Sequence, residues 1–182
     1  MTKTSSMNAS CANQQSKHVM KKIQYLLASI CAAFALQANA AEPSTALKAE
    51  LKAVLQANQS AGEAYDLKKF TETTTNQLTI VDEFPPFSWS GKGAAARYLK
   101  DMQAVVTKNK ITNFKSEIKD ATDVGLDQNV AYAVYPVSYT FKKGEMKEYE
   151  GEGFQTVIFK KSKDNKWLIE NTTWGITSYK QK

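Results

Sequence analysis

Histidine and cysteine are nearly missing from this sequence: its 182 residues include one of the first and two of the second. All three (His18, Cys11 and Cys31) fall within the first 40 residues, so positions 41–182 contain neither type. That absence excludes a disulfide framework, thiol catalysis, Ser-His-Asp or Cys-His triads, and zinc sites built on His or Cys. Arginine is almost as scarce. Arg97 stands alone, which argues against bidentate reading of phosphates or base edges, and so against a nucleic-acid partner. An excess of one charge is also missing from the body of the chain. The first 40 residues take four of the 24 basic side chains and none of the 18 acids, leaving 20 against 18. No Pro/Gly/Ser linker, internal repeat or low-complexity tract divides positions 41–182.

One apolar run stands out. Met20-Lys21-Lys22 is a positive start, Ile23 to Leu36 is mostly apolar over 14 residues, and Gln37-Ala38-Asn39-Ala40 puts small residues at −3 and −1. This is the pattern of a secretory signal peptide cleaved before Ala41. The run falls short of the roughly 20 residues that span a bilayer, so stable membrane insertion after cleavage is not expected. A retained N-terminal anchor is the alternative. A lipoprotein signal at Cys31 fits less well, because bulky Ile30 sits where a small residue belongs. Residues 1–19 are polar and unpatterned, which leaves Met20 as an alternative start of translation. The expected organisation is a leader at 1–40, with the signal peptide at 20–40, followed by one domain at 41–182. A cysteine-free exported chain suits the bacterial periplasm or secretion.

The pattern within that domain changes from helical spacing to alternation. Ser44 is a candidate N-cap, and Leu47, Leu51, Val54, Leu55 and Asn58 recur at three- and four-residue spacing in a helix ending near Ala64. Asp66 caps a short second helix, Leu67 to about Thr73, with Leu67 and Phe70 turned inward. Gln77 to Glu83 alternates as a strand, with Leu78, Ile80 and Asp82 on one face; Pro85-Pro86 stops it. A third helix covers about Ala94 to Lys108. Beyond it, strands are expected at about 111–122, 129–142, 146–160 and 167–179. Val130, Tyr132 and Val134 alternate, then Val137, Tyr139 and Phe141, with Pro136 at the change of phase where a bulge would fit. The expected fold class is α+β: three N-terminal helices packed on a strongly bent antiparallel sheet, forming a cone with an open mouth.

Ala64-Tyr65-Asp66-Leu67, Leu78-Thr79-Ile80-Val81-Asp82, Ser90-Gly91 before Ala96-Arg97-Tyr98-Leu99, and the closing hairpin Thr156 to Phe159, Lys166 to Ile169 and Trp174 form an ordered set. Over the whole of positions 41–182 this set resembles the SnoaL-like and ketosteroid-isomerase-like branch of the nuclear-transport-factor-2 (NTF2)-like superfamily. In steroid isomerases of that superfamily, a general-base Asp follows the second-helix Asp by sixteen residues and precedes the Gly by nine. Asp66, Asp82 and Gly91 have that spacing here, so the resemblance implies Asp82 as the catalytic candidate. It also implies Asn58 and Gln155 where such isomerases carry a phenol and a neutral carboxylic acid, and amides are weaker donors to an enolate. The superfamily's dehydratases use histidines, which positions 41–182 lack.

Around Asp82, the candidate pocket residues are the aromatics Trp89, Tyr98, Tyr135, Tyr139 and Trp174, with Trp89 placed at the mouth. Neutral contacts come from Asn58, Gln155 and Asn171, and Thr173 is a further candidate. Glu148, Glu150 and Glu152 read better as a solvated strand face opposite lysines than as a cation site. The leading expectation is an exported domain that binds a small, largely apolar or planar molecule as a carrier, sensor or accessory protein. One alternative is an isomerase, cyclase or dehydratase with Asp82 as base; another is an interaction module with a vestigial pocket. No cofactor or metal is expected, and a homodimer through the sheet face fits the fold. Intact-mass analysis of the exported protein should give a species starting at Ala41, and a mature species that retains Met20 to Leu36 would refute cleavage.

Overall fold

Ser44 opens the first helix as its spacing predicts, its Oγ accepting from the Leu47 N–H at 3.2 Å. The computed structural model describes residues 42–145 and 147–182; the expected leader at 1–40 lies outside them. Helix α1 is Thr45–Glu63, α2 is Leu67–Glu72 and α3 is Ala94–Lys108. Asp66 caps α2 through the Lys69 N–H at 3.1 Å. The strands are β1 Thr74–Val81, β2 Ser88–Ser90, β3 Ile111–Ile118, β4 Asp123–Asp127, β5 Val130–Lys143, β6 Lys147–Lys161 and β7 Trp167–Gln181. The described strands order as β2-β1-β7-β6-β5-β3, with β4 also on β5. The architecture is the expected α+β cone: a few helices on a curved, unclosed sheet.

The sheet is mixed rather than wholly antiparallel, because β1 runs parallel to β7. The chain leaves β1 through the β2 hairpin, crosses by α3 to the far edge at β3, and returns through β5, β6 and β7. That return delivers β7 beside β1 in the same direction. The β-branched Thr73-Thr74-Thr75 run also starts β1 earlier than the alternation suggests. The strand expected at 111–122 ends at Ile118, and a further strand, β4, follows at Asp123–Asp127 where none was expected. Long β5 takes β4 along residues 130–134 and β3 along 137–143, with residues 119–122 looped between them.

Pro136 sits at that changeover, and no bulge is needed there. β5 pairs with β6 without a slip from Val130↔Lys160 to Lys143↔Lys147. The Pro136 carbonyl accepts from the Lys119 N–H at 2.9 Å, so its missing N–H faces the gap between β3 and β4 and leaves nothing unpaired. The expected change of phase is therefore absent. Ala131, Ala133, Tyr135, Val137, Tyr139 and Phe141 are all buried on one face, while Val130 and Tyr132 are exposed on the other. The early alternation was legible, but its inward half is the alanine one, set in the core opposite Phe159 and Val157.

The core joins Leu51 and Leu55 of α1, Phe70 of α2, and Ala94, Ala95 and Leu99 of α3 to Leu78, Ile80, Val157, Phe159 and Ile169 of the sheet. Each fully buried Leu, Ile or Phe contributes about 1.5–3 kcal/mol relative to exposure. Leu67 does not join them. It is 43% exposed, since the first turn of this six-residue helix offers only Phe70 to the core. On the convex face, Lys142 pairs with Glu148, and Lys180 and Lys182 pair with Glu150. The carboxylates of that strand thus form the lysine-opposed face their spacing predicts.

Beyond the helices, the inner face carries two glycines on β6. An added Cβ at Gly151 would lie 2.4 Å from the tip of Tyr139 and 2.8 Å from the Ser178 carbonyl, and one at Gly153 would lie 2.6 Å from Trp174. Both rings therefore rest where side chains are missing. Gly151→Ala should lower stability by about 1–3 kcal/mol through overpacking, whereas Gly175→Ala, which meets nothing within 4 Å, should change it little. Urea denaturation of the two variants measures the contrast.

Candidate functional site

The concave face and the helices enclose a cavity of about 820 Å³. Its deep end is walled by Leu55, Phe70 and Ile80, and its mouth by Phe114, Ile176 and Tyr179, which are 41–47% exposed. A bulge between Thr112 and Lys115 of β3 turns Phe114 into this mouth. Asn113 there has a positive φ of 53°. Phe114, Tyr139, Phe141, Tyr149 and Tyr179 form a continuous series of near-parallel rings, with centroids 5.3–6.4 Å apart. Trp174 meets Tyr139 edge-on at 5.7 Å. Such pairs favour offset or edge-to-face geometry.

Asp82 follows the last residue of β1 and lines the cavity. A tight turn holds it there: the Asp82 N–H donates to the Phe87 carbonyl at 3.1 Å, and the Phe87 N–H to the Phe84 carbonyl at 2.8 Å. Its two oxygens are both engaged. Oδ1 accepts from the Glu83 N–H at 2.7 Å, and Oδ2 from the Tyr98 hydroxyl at 2.8 Å. Burial pushes the Asp82 carboxyl above its ordinary range, against the opposing pull of those two bonds. Tyr98 is held well above an ordinary phenol by burial and by the neighbouring Asp82 charge, so it remains the donor.

Glu83 is the site residue that sequence reasoning missed. It lines the same cavity and accepts from Trp174 Nε1 at 3.2 Å. Burial and the Asp82 charge raise its pKa. Alternation along β1 would send it outward, but the strand ends at Val81 and the turn brings both acids in. A third carboxylate, Glu63 at the end of α1, accepts from Ser116 Oγ, which in turn accepts from Gln59 Nε2.

The remaining candidates divide. Tyr98, Tyr139, Gln155, Asn58 and Trp174 all line the cavity. Asn58 is committed elsewhere, however: its Nδ2 donates to Thr73 Oγ1 at 2.8 Å and to the Phe70 carbonyl at 3.4 Å, closing the end of α2. Gln155 Nε2 donates to Thr172 Oγ1. Tyr139 is 8% exposed, and its hydroxyl has no partner among the described residues. Burial, with the charge of Glu83, pushes it up to about 12.

Four candidates lie outside the cavity lining. Trp89 is 2% exposed and not at the mouth; its Nε1 donates to Asp101 Oδ2 at 2.8 Å, and its ring packs on Phe84 and Tyr98. Its pairing with Ile80 turns it inward despite the flanking Pro and Gly residues. Tyr135 is fully buried in the core. Asn171 pairs with Ile158 and Thr79 on the convex side, because a bulge between Ile158 and Phe159 shifts the phase of β7. Thr173 shares that outer face.

No protein-family model matches the chain, and no curated protein does. Solved structures do. A ketosteroid isomerase-like protein from Erwinia carotovora atroseptica superposes with a TM-score of 0.55 at 16% identity, covering 71% of this chain and 95% of its own. An NTF2-like superfamily protein from Salmonella enterica gives 0.59 at 10% identity, over 72% and 91%. A hexachlorocyclohexane dehydrochlorinase gives 0.58 at 9% identity, over 72% and 88%. The protein has the NTF2-like fold.

The raised pKa of Asp82 has a signed consequence. A carboxyl whose folded pKa lies above its unfolded value contributes stability below the unfolded pKa and loses it as pH rises through the folded one. Relative to the wild type, Asp82→Asn should therefore gain stability between pH 3 and pH 7, by about 1.4 kcal/mol per unit of upward shift. Chemical denaturation at the two pH values checks this; a difference independent of pH would place Asp82 in solvent.

Proposed function

We propose that this protein binds a small, largely apolar, planar molecule in its cone, as a carrier, sensor or accessory protein. With the expected leader removed, it does so in the periplasm or outside the cell. The observation that carries the reading is the cavity itself: about 820 Å³, open at one end and lined with aromatic rings. That volume falls within the range of small-molecule sites, which are mostly apolar with a few placed polar groups. Here the placed groups are the Asp82–Tyr98 pair and Glu83. A vestigial pocket would be filled by side chains, and this one is open.

Proton transfer is the second reading, favoured by one observation. Asp82 is desolvated like a base tuned upward. Against it, the amide donors at Asn58 and Gln155 are occupied by Phe70, Thr73 and Thr172, and Asp82 already accepts from Tyr98. Loss of a single oxyanion donor costs about 10²–10³ in rate.

A planar enolisable ketone, 2-tetralone, separates the readings in one experiment. In D₂O at neutral pH, the binding reading expects quenching of tryptophan fluorescence on titration, weakened about tenfold or more by Trp174→Ala, with hydrogen exchange no faster than in buffer. Exchange accelerated by the protein and abolished in Asp82→Asn would replace the carrier reading with the enzyme one. Absence of both binding and exchange for tetralone and larger polycyclic ketones would refute the pocket reading.

A further inference from the structure

We propose that the occupant of the cone is an organic cation: a planar apolar molecule carrying a protonated nitrogen, seated between Glu83 and the rings of Tyr139 and Trp174. This deepens the pocket reading above and rests on it.

The first observation is charge. Among the described lining residues, three carboxylates (Glu63, Asp82 and Glu83) face one cation, Lys143. None of those three belongs to an ion pair among the described residues. Asp82 is partly buried and Glu63 and Glu83 are exposed, so the lining carries an excess of negative charge that a cationic ligand would offset. An anionic ligand, such as a fatty acid or a phosphate ester, would bring its charge against two adjacent acids with no guanidinium to receive it.

The second observation is the floor of the mouth. The tip of the Tyr139 ring rests on Gly151 and the benzo edge of Trp174 on Gly153, in the room their missing side chains leave. Trp174 also holds Glu83 through its Nε1. One hydrogen bond thus joins a carboxylate to the aromatic floor, the pairing of groups by which proteins bind ammonium ions. Glu83 lies near enough to Tyr139 for its charge to oppose ionisation of the phenol.

The third observation is independent of both. Tyr139 lines the cavity, and its hydroxyl, buried with its tip against Gly151, has no partner among the described residues. A phenol both donates and accepts, so a ring that swings off Gly151 towards a bound cation would give its oxygen an N–H partner. Buried hydroxyls left without a partner are uncommon, and this one marks where the polar part of a ligand sits.

Three fluorescent probes on one ring framework test the charge: 9-aminoacridine, cationic at neutral pH; 9-anthracenemethanol, neutral; and anthracene-9-carboxylate, anionic. Titrated into the full exported protein, the cation should bind at least about tenfold more tightly than the anion, with the neutral probe between them. Glu83→Gln keeps an oxygen for Trp174 Nε1 and removes the charge, and should bring cation and anion within about threefold of each other. Should that variant fail to fold, the wild-type ratio decides by itself, since equal or tighter binding of the anion overturns the proposal. A cation preference that survives both Glu83→Gln and Asp82→Asn overturns it as well. Binding of the neutral and anionic probes without the cation would leave the pocket reading standing and remove only this one; no binding of any probe would remove both.

Discussion

One constraint governs the rest of this molecule: the unbroken pairing of β5 with β6. Their register runs from Val130↔Lys160 to Lys143↔Lys147 without a slip, so one choice of face assigns every side chain on both strands. Facing the helices, the inner row must be small or tightly packed, and it is Ala131, Ala133 and Tyr135 against Phe159 and Val157. Past the helices the same row becomes Tyr139 and Phe141 against Gly151 and Tyr149. Core and cavity are successive stretches of a single face. A slip of one residue would turn the aromatic row out to solvent and the Glu148–Glu152 series inward, where its lysine partners could not follow.

The two faces of the sheet set different electrostatics. On the concave side, burial raises Asp82, Glu83 and, most strongly, Tyr98. Hydrogen bonds oppose it for the carboxyls, from Tyr98 to Asp82 and from Trp174 to Glu83. On the convex face, Glu150 is solvated, and its pairing with Lys180 and Lys182 lowers its pKa instead. Carboxylates of one small domain are thus driven in opposite directions by the side of the sheet they occupy. The chemically active groups belong to the side where water is scarce.

Much of this fold is legible from local rules. The Ser44 and Asp66 caps and the bounds of α3 follow from side-chain chemistry and spacing, because each is decided within a few residues. Asp82 is reachable too, through the spacing from Asp66 to Gly91. What escapes is decided by partners distant in sequence. Period-2 alternation shows that β5 has two faces, but not that the alanines are the inward ones; that depends on which face the core covers. Asn171 turns outward because of a bulge one residue upstream of it, which no composition signal marks. Trp89 looks like a mouth residue when judged by its Pro and Gly neighbours, and becomes core through its pairing with Ile80. Glu83 is hidden by the same logic, since its orientation belongs to the turn after β1 rather than to the strand.

The fate of Asn58 shows how folding demands narrow the chemistry left to a site. The Thr73-Thr74-Thr75 run ends α2 and begins β1 at once, which strands the last carbonyl groups of a six-residue helix in the interior. Asn58 serves one of them: its amide reaches the Phe70 carbonyl and also Thr73 Oγ1, and Thr73 Oγ1 itself donates to the Phe70 carbonyl at 2.8 Å. A donor so engaged cannot also wait unpaired for a developing oxyanion, because catalysis of that kind needs the donor aimed and free before charge appears. Gln155 is engaged in the same way by Thr172. Of the polar groups lining the cone, the Tyr139 hydroxyl is the buried one left without a partner among the described residues, and it lies with Trp174 and Glu83 rather than with the capped helix end. The Asn58 and Gln155 amides of the cavity are thus spent on the fold, and among its other polar side chains Asp82 is held by Tyr98 and Glu83 by Trp174.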